Sequence, residues 1–344
     1  MVGALRQARS SVSSSLITRV IALLLAAVVI IKIAPSVYQF GPSYFVRIIA
    51  IGIALGAIYA LIAIGYTMVY GIVELINFAH GDVFTLGAFI SLPLLVTPLW
   101  HLTEGGGGGL GIVLPLIAVF LIVMLITGLI NVGIERVAYR PLRNAPRLAP
   151  LITAVGVSFF LEGVMYLWKG AVNLHYPDLL PDNRFVGGTF SAKDVIVVIA
   201  AVILVSGLAI FVNQTKLGKA MRATAQDRDA ARLMGINIDR TISATFFIGA
   251  VLAAAGGMTY GLYINSINNT LGFPIGLVAF TAAVFGGIGN IPGAALGGLI
   301  IGLIRAMNDG YVDPQWTDVV TFAILILVLT LRPTGLLGMR VPEK

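Results

Sequence analysis

Apolar runs near the length of a membrane crossing recur along this chain, separated by short polar links. They fall at about 45–70, 77–98, 111–132, 150–168, 193–213 and 241–264, with a glycine-broken region over 275–305 and a last run over 318–332. About 20 helical residues cross the roughly 30 Å of bilayer hydrocarbon, so each unbroken run predicts one transmembrane helix. An earlier apolar run, from Val20 to about Ala34, follows a basic, serine-rich start from Met1 to Arg19. It suits either a cleaved secretory signal or a retained first span. Lys32 interrupts its end and no small-x-small site follows, which favours the retained span. Residues 275–305 are expected to enter and return as two half-spans. The pattern predicts an all-α polytopic membrane protein with about eight full transmembrane helices plus a broken-helix hairpin. Tyr44, Trp100, Trp168 and Trp316 fall near run ends, where amphipathic rings sit at the headgroups.

The links set an orientation. Residues 133–149 carry Arg136, Arg140, Arg143 and Arg147 against Glu135, and residues 214–240 carry six basic and three acidic side chains. The tail carries Arg332, Arg340 and Lys344 against Glu343. The alternate links differ: 99–110 holds only His101 and Glu104, 265–274 has no charge, and 308–318 has Asp309, Asp313 and Asp318 without a base. By the positive-inside rule the N-terminus, 133–149, 214–240 and the C-terminus face the cytoplasm. The expected organisation is a cytoplasmic segment over 1–19, a transmembrane domain over 20–332 with a cytoplasmic loop at 214–240, and a cytoplasmic tail over 333–344. Pro141 and Pro146 argue against one helix through the four arginines, which read as a headgroup anchor. The five glycines at 105–109 read as a flexible linker.

Composition agrees. Of 344 residues 58% are apolar and only 11% charged, against about 25% in soluble domains. Mean hydropathy is +0.98. The net charge of +7 follows the link pattern, and the aromatic–basic platforms of single-strand nucleic-acid binders are absent. With no cysteine, disulfides, thiolate metal sites and cysteine nucleophiles are excluded. No serine–histidine–acid set or paired carboxylates suggest an enzyme.

Candidate chemistry lies in three places. In Gly65–Asp82, Glu74, Asn77, His80 and Asp82 fall within nine residues between two apolar runs. On a helix Glu74, Asn77 and Gly81 would share a face, as would Asn77, His80 and Gly81. Polar groups at membrane depth mark a solute pathway or a satisfied hinge. Asn77 or Asp82 would cap a half-helix starting near Val83. One histidine without a second ligand set makes a poor metal site. In Thr281–Gly298, the residues Gly286, Gly287, Gly289, Pro292 and Gly293 should break a helix near mid-region. Freed backbone groups there, with Asn290, give a second candidate stretch of pathway. Gly293 and Gly297 offer a close-packing face. Both segments set a polar break before a Gly-Ala helix, a weak echo without a clear period. The lone Glu162 suits an interhelix hydrogen bond or pairing with Lys169, and His175, Asp178, Asp182 and Arg184 shape an outer surface.

The third place is 214–240. Its alanine-rich sequence favours helix. Met221, Ala225, Ala230 and Leu233 supply an apolar stripe, and Gly235 ends the run as a C-cap would. Such a helix suits docking in a partner's groove. Gly218-Lys219 is no P-loop, because Asn213 stands where glycine is needed and Ala220 where the magnesium-binding hydroxyl belongs.

Gly65-Tyr-Thr-Met-Val-Tyr-Gly71 with Ile76-Asn-Phe-Ala-His-Gly-Asp82 resembles the signature of LivH-type permeases of branched-chain amino-acid ABC transporters. Gly218-Lys-Ala-Met-Arg-Ala223, Gly235-Ile-Asn237, Phe285-Gly-Gly-Ile-Gly-Asn290 and Arg332-Pro-Thr-Gly-Leu-Leu337 match in order, so the resemblance covers about 45–340. It implies a bacterial inner-membrane subunit that works with a second homologous permease, two cytoplasmic ATP-binding subunits and a periplasmic solute-binding protein. It implies no cofactor on this chain, with ATP and magnesium used by the partner ATPase. Asp229-Ala-Ala231 with Gly235 resembles the EAA-x3-G coupling signature with aspartate for glutamate and without its I-x-L-P tail. By that likeness Gly218, Lys219, Arg222, Asp227, Asp229, Ala230, Ala231 and Gly235 meet the ATPase. The substrate implied is a branched-chain or related amino acid; the alternatives are urea or short amides. From other classes, an ion-gradient-driven carrier would work alone, and a channel or receptor membrane subunit would need no binding protein.

Overall fold

The computed structural model describes residues 34–74, 77–96, 108–143, 145–146, 148–181, 183–185, 188–332 and 334–338. The N-terminal segment, residues 20–33 of the expected first span, Trp100, His101, Glu104, Gly105 to Gly107, Arg147, Asp182 and the charges after Gly338 lie outside these.

Twelve α-helices account for nearly all of it. In chain order they are α1 (Ala34–Phe40), α2 (Pro42–Val73), α3 (His80–Val96), α4 (Gly108–Ile134), α5 (Leu148–Lys169), α6 (Ala192–Gln214), α7 (Lys216–Gln226), α8 (Arg228–Leu233), α9 (Ile238–Ile264), α10 (Gly272–Gly286), α11 (Ile291–Tyr311) and α12 (Thr317–Leu331). Among the described residues seven helical segments are long and apolar enough to cross a membrane: α2, α5, α6, α9, α11, one running from α4 to Leu142, and one joining α12 to the turn before it. α3 and α10 are shorter apolar helices. The chain is a multi-pass membrane protein. α4, α5, α6 and α12 carry exposed aliphatics such as Leu121, Ile152, Ile203 and Ile326 on their outer faces, as lipid permits. α2 and α9 form the centre and are largely buried.

Small residues set how closely these helices approach. α2 presents Gly52 and Gly56 to α11, which answers with Gly298 and Gly302. A methyl on Gly56 would lie 2.8 Å from the Leu299 Cα, so the backbones touch. At one end Asp194 ties three helices: Arg47 of α2 reaches it at 2.5 Å and Tyr263 of α9 donates to it at 2.8 Å. The same carboxylate accepts the Ser191 amide and closes a capping box that starts α6. Two short antiparallel pairings lie at this end, β1 (Leu174–His175) with β4 (Ser266–Ile267) and β2 (Arg184–Phe185) with β3 (Phe190–Ser191).

The expected hairpin over 275–305 is α10 and α11, with two differences. Its return arm is a full 21-residue helix. Its turn lies at the end of the molecule that carries α7 and α8, since Gly289 sits beside Gly71 in the last turn of α2.

The faint sequence echo has a structural counterpart elsewhere. Two non-glycine residues among those described have left-handed backbones, Glu74 (φ 57°) and Asn265 (φ 58°). Each ends a central helix, α2 or α9, and each is followed by a short link and a short helix, α3 or α10. α2 packs on α11 and α9 packs on α4. The sets α2–α5 and α9–α12 thus repeat one arrangement with opposite direction, the inverted relationship common in transporters. The repeat pairs 74–80 with 265–272, not with the glycine break at 286–293.

Candidate functional site

After α2 ends, the chain turns back into the protein before α3 begins. His80 packs against Gly65 and Gly249, and Gly65 lies about 12 Å before the end of α2 at 1.5 Å per residue. α3 therefore starts deep in the bundle. So does α10, whose first residue meets it: a side chain on Gly81 would strike the Gly272 carbonyl, and one on Gly272 would strike Asp82. Two helix N-termini face each other there, and each carries partial positive charge.

Asp82 occupies that junction. It is fully buried, and its Oδ2 accepts the Ser158 hydroxyl from α5. The facing N-termini favour an acid here that has no basic partner among the described residues. His80, also fully buried, stacks edge-on against Tyr66 at 4.7 Å between ring centres. Neither His80 ring nitrogen, nor Asp82 Oδ1, Asn77 Nδ2 or Thr67 Oγ1, has a hydrogen-bond partner of normal geometry among the described residues. Such orphaned buried groups are rare and need a cause, such as a functional role or bound water.

The link does not have the helical faces expected of it. Glu74 caps α2 with its side chain exposed, whereas Asn77 is buried. Asn77 contributes its backbone carbonyl to the start of α3, taking the His80 amide at 3.1 Å. Its side chain accepts the Tyr139 hydroxyl at 2.7 Å instead of capping. The helix starts at His80, three residues before the expected Val83, which places Asp82 in its first turn.

The glycine break is closed by the chain itself. Gly287 and Gly289 have φ of 111° and 89°, which only glycine adopts readily. The freed carbonyls of Phe285 and Gly286 accept the amides of Leu336 and Leu337 at 2.9 Å each. Asn290 caps α11 by accepting the Gly293 amide at 3.0 Å and donates to the Leu337 carbonyl at 2.7 Å. Gly286 packs on Gly293 and Gly297 on Ala282, as the close-packing reading expects. The tail, invisible as a partner in the sequence, uses the groups that were candidates for a pathway. A small, partly open pocket beside the break is lined by Tyr66, Thr67, Tyr70, Phe280, Ala283 and Ile288.

The 214–240 segment is two helices, not one. Thr215 caps α7, and Asp227 breaks the run and caps α8 through the Asp229 and Ala230 amides at 2.9 and 3.0 Å. Gly218 lies against the Val212 carbonyl, so α7 folds tightly under α6, and Arg222 reaches the same carbonyl. Gly235, at φ 80°, ends α8 as expected. The apolar stripe does not form: Met221 and Ala231 turn inward, whereas Ala225 and Ala230 are exposed. Lys219, Arg222, Asp227, Asp229, Ala230 and Gly235 are exposed, with Leu233 and Met234 88% and 82% exposed beside them.

Sequence reading missed three groups. Arg228 of α8 donates twice to the Ile72 carbonyl in the last turn of α2, at 2.7 and 3.2 Å. The residues after α4 form a π turn, Glu135–Tyr139, and then a 3₁₀ turn, Arg140–Leu142. The π turn aims Tyr139 at Asn77 and buries Glu135, which Arg143 and Ser243 hold. Arg143 also meets Asp239 at 2.6 Å, and Arg140 pairs with the same acid. Two of the arginines read as anchors are therefore partners in an ionic cluster. The π-turn residues carried no sequence signal, because their partners are remote in the chain. Glu162 does not pair with Lys169, whose ammonium lies 5.7 Å from the Trp168 ring centre. It lies within electrostatic reach of Asp82. At the opposite end Lys193 donates to Asp178 at 2.6 Å, which with its charge holds that carboxyl below the usual range.

Residues 48–329 match the family described as branched-chain amino acid transport system / permease component. The chain is 43% identical to the high-affinity branched-chain amino acid transport system permease protein LivH of Salmonella typhimurium over 314 residues, 88% of this chain and 98% of that protein. It is 42% identical to the corresponding BraD of Pseudomonas aeruginosa, covering 90% of this chain and 99% of BraD. The fructose import permease protein FrcC of Rhizobium meliloti is 26% identical over 54% of this chain and 55% of its own. No solved structure matches.

Proposed function

Because the chain belongs to the branched-chain amino acid transport system permease component family, we propose that it is the membrane subunit of an ATP-driven importer of branched-chain amino acids. The near full-length likeness to LivH carries the reading. With a second, homologous permease the chain forms the pathway. Two ATP-binding subunits, where ATP and magnesium are used, press on α7 and α8 from the cytoplasm. A binding protein delivers solute at the other face, near the paired strands. Both termini are cytoplasmic and the membrane is the bacterial inner membrane.

The site geometry supports this. The exposed residues of α7 and α8 offer charged and apolar groups to a partner, and Lys219, Arg222, Asp227, Asp229, Ala230 and Gly235 lie on that surface. Gly218 and Ala231 act from within, by setting the fold of α7 and α8. Among the pathway candidates, Asn77, His80 and Asp82 hold or adjoin the unsatisfied groups at the facing half-helices, and Glu74 opens the link that leads to them. Gly286, Gly287, Gly289 and Asn290 frame the pathway wall by fixing α10 against α11.

The test is uptake of radiolabelled leucine into proteoliposomes holding this chain, its partner permease and the ATPases, with binding protein outside and ATP inside. Uptake is expected to require ATP and binding protein, and to be competed by isoleucine and valine but not by urea. Accumulation by the purified chain alone under an ion gradient would overturn the proposal.

A further inference from the structure

Two residues hold the link between α2 and α3 by long-range hydrogen bonds, Arg228 before it and Tyr139 within it. Arg228 grips the Ile72 carbonyl just before the link. That carbonyl belongs to the last turn of α2, where four carbonyls lack helical partners and the dipole favours a cation. Tyr139 grips the buried Asn77 side chain within the link. Asn77 in turn sets the start of α3 through the His80 amide. Between the two grips lies Glu74, whose left-handed backbone is unusual for a residue with a side chain. Strain of that kind persists where the surroundings enforce it, and it collects at switch regions.

Arg228 is the first residue of α8, and Leu233, the last, points into solvent with Met234. The helix is rigidly capped by Asp227 and spans only about 9 Å. Whatever presses on Leu233 moves Arg228 with it. Tyr139 belongs to a turn locked through Glu135, Arg143 and Asp239 to the first turn of α9, which also follows α8.

We infer that Arg228 and Tyr139 are positioning residues that convert a push on α8 into a shift of the end of α2 relative to Asn77, and so relative to His80 and Asp82 at the half-helix junction. Arg228 pulls the end of α2 while Tyr139 keeps Asn77, and with it the start of α3, against the end of α4, so the two helices shift past one another. The inference rests on the importer reading above.

The experiment uses the reconstituted complex and reads leucine transported per ATP hydrolysed, for wild type, Arg228→Gln, Tyr139→Phe and the double variant. A lost hydrogen bond to a charged group is expected to lower this ratio about ten-fold for Arg228→Gln, with a smaller loss for the neutral bond of Tyr139→Phe. The double variant should fall by less than the product of the two, since both act on one link. As a second measurement, Phe78→Cys is introduced into a chain that has no cysteine. Its labelling rate should differ between the nucleotide-free and ATP-bound complex, and the difference should vanish when Tyr139→Phe is added. If transport and hydrolysis fall in proportion, or Phe78→Cys labels at one rate in every nucleotide state, the inference is overturned. If the wild-type complex shows no ATP-dependent uptake, the importer reading fails first.

Discussion

Glu135 has no exposed surface, and at the end of α4 Arg143 and Ser243 both reach it. Removing one partner of a buried ion pair strands the other. Arg143→Ala should therefore cost about 3–5 kcal/mol, more than Glu135→Gln, and the order can be read from unfolding midpoints in detergent. Asp82 obeys a different rule, since facing helix ends and not a base support it. Asp82→Asn, which keeps an acceptor for Ser158, should unfold later than Asp82→Ala. The Asp178–Lys193 pair is open to water on the acid's side, and its contribution is small and screened by salt. The Asp178 carboxyl is held below its usual 3.8, so the unfolded chain binds the proton more readily than the folded one. Its stabilising effect is present above 3.8 and is lost as pH falls through the lower folded value. A plot of melting midpoint against pH should show wild type and Asp178→Asn converging in acid, and also in high salt. The polarity of Glu74, Asn77, His80 and Asp82 was legible within one short stretch of chain. Arg228 and Tyr139 were not, because their partners lie 156 and 62 residues away and only folding brings them together.

At the scale of elements, hydropathy found the spans because each apolar run must be long enough to cross lipid. It could not give their depth. The run read over 77–98 becomes a helix only at His80, since residues 77–79 turn before the helix starts. The glycines at 286–293 do break the helix, but at an end of the molecule, because the tail that completes them is far along the chain. Asn290 joins both parts. Losing the cap alone costs about 1 kcal/mol. Asn290→Ala should thus destabilise more than Asn290→Asp, which keeps the cap and loses the bond to Leu337. Limited proteolysis of the tail would separate the two. The α2–α11 contact is tighter still: Gly302→Leu should abolish a folded monodisperse peak on gel filtration, whereas Gly133→Ala, with open space around it, should leave the peak intact.

For the whole molecule, α2–α5 and α9–α12 run through the same arrangement in opposite directions. Sequence comparison within the chain missed this because an inverted repeat preserves packing partners and turn geometry, not residue types: Glu74 and Asn265 serve one backbone role with different chemistry. Charge bias did supply an orientation, and it is open to a direct check. With Lys219→Cys and Arg184→Cys placed singly in the cysteine-free chain, an impermeant maleimide should label Lys219→Cys only from the cytoplasmic face and Arg184→Cys only from the other.

The meeting of Gly81 with Gly272 has an electrical corollary. No methyl fits between those backbones, and backbones already in contact leave no gap even for a water of about 1.4 Å radius. This contact is expected to interrupt any file of water between the starts of α3 and α10. Vesicles carrying it should hold a proton gradient as long as empty ones do, letting an idle importer sit in an energised membrane without draining it.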